Sequence, residues 1–440
     1  MLYFLAATVL SYFLSRISQN ALSGIVLVSA AVVLFLKDRK ETGKRFPLAG
    51  LFSLSFVGGE GIACFKLSSL ETAWEPETWL CFFAAVFFFR LFYRLTFSRN
   101  GVSLREPQKN GFCLSGEKQI REDRLFISVI GITVLSAVSF CIEAAILGYV
   151  PLLIRGVPHA YSAFHVHGLH YFTVSCVLVP ALAVIWNETS GRRDGIRKKA
   201  VHFSAAVSLL IPILCVSRFQ LIFTVAVAGF TFLTVKKDGA PKHLGIIAVC
   251  CIIPLYVLLT VARSHSVSYL NGIFEMKADL PIFISQPYIY IANNYDNFNC
   301  LVRDLTSHTF GLRMLYPLWA FTGMKFLHPS LVNFPLYVTK KELTTVTLFY
   351  DAWYDFGMAG VILFSALLGF VSRKLEEKTG GPHDPIMNVM YAQMAVYSAL
   401  AFFTTWFSNP ATWFYFAETL AVYLFCRSRG KKPEKRGKKQ

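Results

Sequence analysis

The sequence predicts an all-α polytopic membrane protein with about twelve transmembrane helices and one large external loop. Three observations predict it. Apolar runs of spanning length recur from one end of the chain to the other. Only 16% of residues are charged, against about a quarter in soluble domains. And the basic residues gather in alternate connections between the runs, the pattern of a chain oriented by positive cytoplasmic loops. The net charge of +17 belongs to those loops and does not call for nucleic acid as a partner.

Taken in order, the runs are 1–16, 20–36, 47–65, 77–96, 125–150, 168–187, 201–217, 219–235, 244–262, 352–371, 386–407 and 411–426. Each approaches the roughly 20 apolar residues a crossing needs. The first run has no basic n-region and no small-residue cleavage site, so it reads as a retained helix and not a signal peptide. The segments 37–46, 90–124, 188–200, 236–243, 372–385 and 427–440 hold 32 of the 43 Lys and Arg residues. They alternate along the chain, which predicts that they and both termini are cytoplasmic. Four regions follow: helices one to nine in 1–262, an external cap in 263–351, helices ten to twelve in 352–426, and a basic cytoplasmic tail in 427–440.

The cap mixes Tyr, Asn, Asp, Thr, His and Arg with Phe, Leu and Trp, whereas a disordered linker would lack the aromatics. Within it, the apolar stretch Phe310 to Phe334 is broken by Pro317, Gly323 and Pro329, which predicts interfacial or re-entrant helices in place of a clean crossing. The ten cysteines include no CxxC pair, so a structural zinc site is not expected. His165 and His167 have a metal-ligand spacing, but no carboxylate or cysteine near them in the sequence completes a set, so no metal is expected there either.

The external face, although poor in cations, carries Arg155, Arg218, Arg263, Arg303 and Arg313. Arg218 sits in CVSRFQLIF, a turn tight enough to hold it at the bilayer surface, and Arg263 directly follows an apolar run. Guanidinium groups at that depth suit bidentate contact with a phosphate or pyrophosphate, and Arg218, Arg263, Arg313 and Arg155 are the candidates. The competing account is snorkelling to lipid headgroups. A general base, if the chemistry needs one, is expected among His165, His167, His170, Glu342 and Asp351, all at the external boundary. Glu143, inside an apolar run, is either functional or a helix–helix hydrogen bond. Glu60, flanked by Gly58, Gly59 and Gly61, reads likewise or as close helix packing. Asp351 and Asp355, four apart, share one helix face, where they also suit a helix N-terminus. Tyr161, Tyr290, Asn294, Asp296 and Tyr350 are candidate substrate contacts, by stacking and hydrogen bonding.

Four runs, VPHAYSAFHVHGLHYFTVSCVLVP from Val157, SRFQLIF from Ser217, QPYIYIANNYDNFNCLV from Gln286 and ELTTVTLFYDAWYDFGMAG from Glu342, resemble the bacterial oligosaccharide repeat-unit polymerases of the Wzy type, the O-antigen polymerase-like proteins. The likeness extends over about residues 47–372. It implies a GT-C-like helical fold in the bacterial plasma membrane. It also implies a metal-independent glycosyltransferase without cofactor, which joins undecaprenyl-diphosphate-linked repeat units into a surface polysaccharide on the outer face. A flippase and a chain-length regulator are implied partners, and external arginines, here Arg218 and Arg263 best, are implied to be essential. The resemblance also implies that the substrate met by Tyr161, Tyr290, Asn294, Asp296 and Tyr350 is a glycan. The chemistry is coherent. Outside the cell no nucleotide sugar is supplied, so a donor must arrive already activated on a lipid pyrophosphate. The enzyme then stabilises charge on that leaving group with preorganised cations and deprotonates an acceptor hydroxyl. A ligase using the same carrier, and a flippase or transporter with a cationic path, are the alternative functions.

Overall fold

The computed structural model describes residues 1–96, 121–154, 160–190, 195–236, 267–379 and 385–427. Among the described residues the extended regular elements are all helices. Among the described residues six helices are long and apolar enough to cross a membrane: Asn20–Thr42, Pro76–Leu95, Glu122–Leu147, Leu169–Thr189, Arg218–Val235 and Tyr350–Lys378. Leu2–Arg16 and Leu48–Ala63 are shorter apolar helices. The protein is therefore a multi-pass membrane protein. Of the predicted runs, 244–262 lies outside the described residues, and each of the others coincides with a helix for most of its length.

The helices are numbered here α1 (Leu2–Arg16), α2 (Asn20–Thr42), α3 (Leu48–Ala63), α4 (Pro76–Leu95), α5 (Glu122–Leu147), α6 (Leu169–Thr189), α7 (Gly195–Leu214), α8 (Arg218–Val235), α9 (Val267–Phe274), α10 (Ile282–Asp304), α11 (Tyr350–Lys378), α12 (Met387–Ala399) and α13 (Pro410–Cys426). They fall into two compact units, one from Met1–Ser98, Arg263–Glu377 and Gln393–Phe414, the other from Arg99–Ala262, Lys378–Ala392 and Tyr415–Gln440.

In the first unit α2 and α3 approach backbone to backbone. A Cβ on Gly24 would lie 2.6 Å from the Gly61 carbonyl oxygen, and one on Gly61 would lie 2.8 Å from the Gly24 oxygen. Gly59 does the same for the Tyr295 hydroxyl, whose ideal Cβ distance is 2.6 Å. The glycines around Glu60 thus serve close packing. At α2 and α4, Arg90 donates to both oxygens of Asp38 at 2.7 and 2.6 Å and to Ser53 at 2.7 Å, wholly buried. The charge pattern assigns Arg90 to the basic loop 90–124; the structure instead places it in the interior of α4, where a buried partner satisfies it.

Gly369 of α11 lies against α4 with no room for a side chain: a Cβ there would strike the Phe89 carbonyl oxygen. Gly369→Ala must push two helices apart, and overpacking of this kind costs about 1–3 kcal/mol. Its thermal unfolding midpoint in detergent is expected to fall clearly below that of the parent, and an unchanged midpoint would show that the helices separate freely.

The helix α10 is the hub of the first unit, and it is polar where helices of membrane proteins are usually apolar. Tyr295 donates to the Phe56 carbonyl at 2.6 Å. Asn297 donates to the Leu343 and Thr345 carbonyls at 2.7 and 2.8 Å and accepts the Thr339 N–H at 2.8 Å. Asn299 accepts from the Glu75 N–H and the Thr78 hydroxyl, both at 2.8 Å. These buried polar side chains fasten α3, the start of α4 and the 339–345 segment to α10, which is why the helix is buried without being apolar. Further on, Tyr316–Phe321 and Met324–Leu327 are short helices, and Phe310, Leu318, Phe321, Phe326 and Leu327 are exposed. At the start of α11, Asp355 accepts the Thr309 hydroxyl and the N–H groups of Arg313 and Met314, so it holds the 309–314 turn.

The second unit is built on α5 to α8. The helix α5 begins with Glu122 and Asp123, suited to a helix N-terminus, and ends at Gly148 in the left-handed region, φ 77°. Arg197 of α7 reaches Asp123 at 2.6 Å. In α6 a 3-10 turn at Ser175–Leu178 precedes Pro180, whose missing N–H and ring prevent a regular α-helical turn there. Opposite that turn, the Ser136 and Ser175 hydroxyls pair at 2.9 Å.

Candidate functional site

The end of α5 leads into Pro151–Leu153, then to the histidine segment and α6. Glu143, four residues before the end of α5, is fully buried. It accepts the Val166 N–H at 2.8 Å, and its two oxygens lie 3.2 and 3.1 Å from Nδ1 of His170. The His170 N–H in turn donates to the Val166 carbonyl at 3.0 Å. The loop is therefore wound around one carboxylate. The ring of His165 lies 5.2 Å from that of His167 and 6.4 Å from that of His170, so the three predicted histidines form one cluster.

Arg218 comes to the same end of this unit. The chain leaves α7 through Cys215 and Val216, the latter at φ 54°, and Ser217 caps α8 by accepting the Gln220 N–H at 3.5 Å. Arg218 is thus in the first turn of an 18-residue helix, where N–H groups and the helix dipole favour an anion. Val216 and Leu221 pack with Leu152, which ties this turn to the segment leaving α5, and Glu143 is an electrostatic neighbour of Cys215. This end of the unit therefore carries a buried carboxylate, a cluster of imidazoles and an arginine at a helix N-terminus. The chain matches no protein-family model, no curated protein and no solved structure. Among the described residues no group of three or more His, Cys, Asp or Glu is placed to hold a metal ion.

The other predicted residues lie elsewhere. Arg155 and Arg263 fall outside the described residues, as does the side chain of Tyr161. The remainder belong to the first unit. Arg313 donates through Nε to Asp351 at 2.7 Å, and its guanidinium lies 4.5 Å above the Tyr354 ring and 5.6 Å from that of Tyr350. Tyr350 donates to the Tyr337 carbonyl at 3.0 Å and accepts its N–H at 2.8 Å. Asn294 donates to the Tyr290 and Phe402 carbonyls at 2.7 and 2.8 Å. Tyr290 is half-buried, its ring 6.4 Å from that of Phe403, and Glu342 is exposed. Asp296 is buried, accepting from Lys66 at 2.7 Å and from the Trp74 indole at 2.9 Å.

That last contact opens a cluster the sequence does not disclose. Lys66, at φ 52°, also lies 4.2 Å from the Trp74 ring centre. Glu71 accepts the Ser68 N–H at 2.9 Å and the Tyr288 hydroxyl at 2.8 Å. Burial and the nearby Asp296 charge push the Glu71 carboxyl up to about 7. Burial likewise raises Asp296, against the pull of Lys66. The sequence signal for this cluster is a lysine, Lys66, on the face otherwise poor in cations. Glu143 and His170 each stand out in the sequence, but their pairing does not.

Proposed function

We propose that this protein transfers glycan between lipid-linked substrates, polymerising undecaprenyl-diphosphate-linked repeat units on the outer face of a bacterial plasma membrane. The observation that supports this is that the turn carrying Arg218, at the start of α8, packs through Val216 and Leu221 on Leu152, in the segment that runs from Glu143 to the histidine cluster. A glycosyl donor on a lipid pyrophosphate needs a cation for its leaving group and an acceptor for a hydroxyl proton, and it meets the protein at membrane depth. The twelve-span, GT-C-like arrangement with cytoplasmic termini, a large external loop and flippase and chain-length partners completes the proposal, supported by the alternation of basic connections and the four resembling runs.

Deletion of the gene tests it. The expected result is loss of long surface chains with single repeat units still attached to their final acceptor. Full-length chains left on the lipid carrier would identify a ligase, and lipid-linked units held on the inner face would identify a flippase. Either outcome overturns polymerisation.

A further inference from the structure

We propose that His170 and Glu143 form a working pair, in which Nε2 of His170 takes the proton from the acceptor sugar hydroxyl and Glu143 is its positioning residue. This rests on the glycan-transfer reading and deepens it, selecting one base from the five that the sequence leaves open. The argument begins with the position of Glu143. It is fully buried within an apolar helix, where a carboxylate is costly. An amide side chain could hold the loop at lower cost, since it also accepts an N–H. What only a carboxylate adds is an acceptor with no donor of its own, facing Nδ1 of His170 at 3.1 Å. That fixes the proton on Nδ1 and leaves Nε2 as the ring's acceptor, and it stabilises the imidazolium formed when Nε2 takes a proton.

The ring is fixed from further directions. Its backbone N–H is spent on Val166, whose own N–H is spent on Glu143, and the side chain keeps 28% of its surface open. His165 and His167 share the cluster but are exposed. The charged or titratable groups around the pair are those two histidines from the same loop, Cys215 from the end of α7, and Glu418 of α13, which reaches Ser175 further along α6. In the step itself, the acceptor oxygen forms a bond to the anomeric carbon of the donor as its proton passes to Nε2. The anomeric carbon–oxygen bond breaks, and its electron pair leaves on the lipid pyrophosphate. The imidazolium then returns its proton to solvent, which closes the balance of atoms and charge.

The test uses the full-length protein in lipid nanodiscs with 15N-labelled histidine, His170 being assigned by its loss in His170→Ala. The wild-type ring is expected in the Nδ1–H form, and Glu143→Gln is expected to mix the two neutral forms. In an extension assay with purified lipid-linked repeat units, His170→Ala and Glu143→Gln are expected to slow the reaction by about 10²–10⁴-fold, with Glu143→Asp recovering part of the loss. An Nε2–H ring in the wild type, or full-rate extension by His170→Ala, overturns the pair. A Glu143-dependent ring form in a protein that extends no repeat units counts against the glycan reading and leaves the pair standing. Extension undiminished in Glu143→Gln counts against the pair and leaves the reading standing.

Discussion

Arg218→Ala is expected to lose nearly all chain extension, and Arg218→Lys most of it. The side chain sits in the first turn of α8, mostly buried, just past a capped turn. There its charge adds to the partial positive charge of the helix end, and a pyrophosphate would meet both at once. Guanidinium presents a planar fork that matches two phosphate oxygens, whereas an ammonium is a point charge on a flexible stem. A contact that strengthens as the leaving group gains charge acts on the rate itself, and removing one such donor costs about 10²–10³-fold. Burial makes a second measurement necessary, because an arginine so enclosed also supports the turn. Thermal unfolding of each variant in detergent separates the roles: lost activity with an unchanged midpoint is the expected pattern. Chain extension at the parental rate by Arg218→Lys would show the bidentate contact to be wrong; the same result from Arg218→Ala would remove the site.

The helices were legible because lipid demands them. Runs near 20 apolar residues must become helices in the membrane, and the described runs do so. The glycines around Glu60 were legible as packing residues, and the structure gives them Gly24 and Tyr295 as neighbours. The helix α10 was not. Its sequence, IFISQPYIYIANNYDNFNCLVRD, carries asparagines and an aspartate on buried faces, so its hydropathy resembles that of a loop. Periodicity reports burial only when the buried face is apolar, and here many of the buried side chains are polar and bonded to other parts of the unit. Asn294, Asp296 and Tyr350 read as sugar contacts for the same reason: they are polar and aromatic residues in a segment that the charge pattern predicts to be external. In the fold the Asn294 amide donates to the Phe402 carbonyl, Asp296 accepts from Lys66 and the Tyr350 hydroxyl donates to the Tyr337 carbonyl. The histidines and Arg218 were legible individually, from their place beside apolar runs. That their segments share one end of a unit was not, since it depends on Leu152 packing against the α7–α8 turn.

The cluster of Lys66, Asp296 and Glu71 makes a second large effect calculable in direction. Lys66→Met keeps the length of the side chain but removes the cation hydrogen-bonded to Asp296, leaving a buried carboxylate without that counter-charge. Breaking a buried pair by removing one partner costs about 3–5 kcal/mol. The loop after α3 should then detach from α10, and the thermal midpoint in detergent should drop far more than for an exposed pair such as Arg303–Asp304. The same cluster gives a pH dependence. Folding lifts Glu71 from its ordinary 4.5 to about 7, through burial first and the Asp296 charge second, and Asp296 moves the same way. Between those values the folded chain binds more protons than the unfolded one, so stability falls as pH rises through that window and levels off above it. The contribution is a few kcal/mol, present in full below the unfolded value and lost above about 7. The parent is therefore expected to melt at a higher temperature at pH 5 than at pH 8. Glu71→Gln keeps an acceptor for the Ser68 N–H and cannot ionise, so it should be the more stable protein at pH 8 and flatten the difference between the two. A parent equally stable at both, or a Glu71→Gln variant with the parental pH response, would place the titration elsewhere.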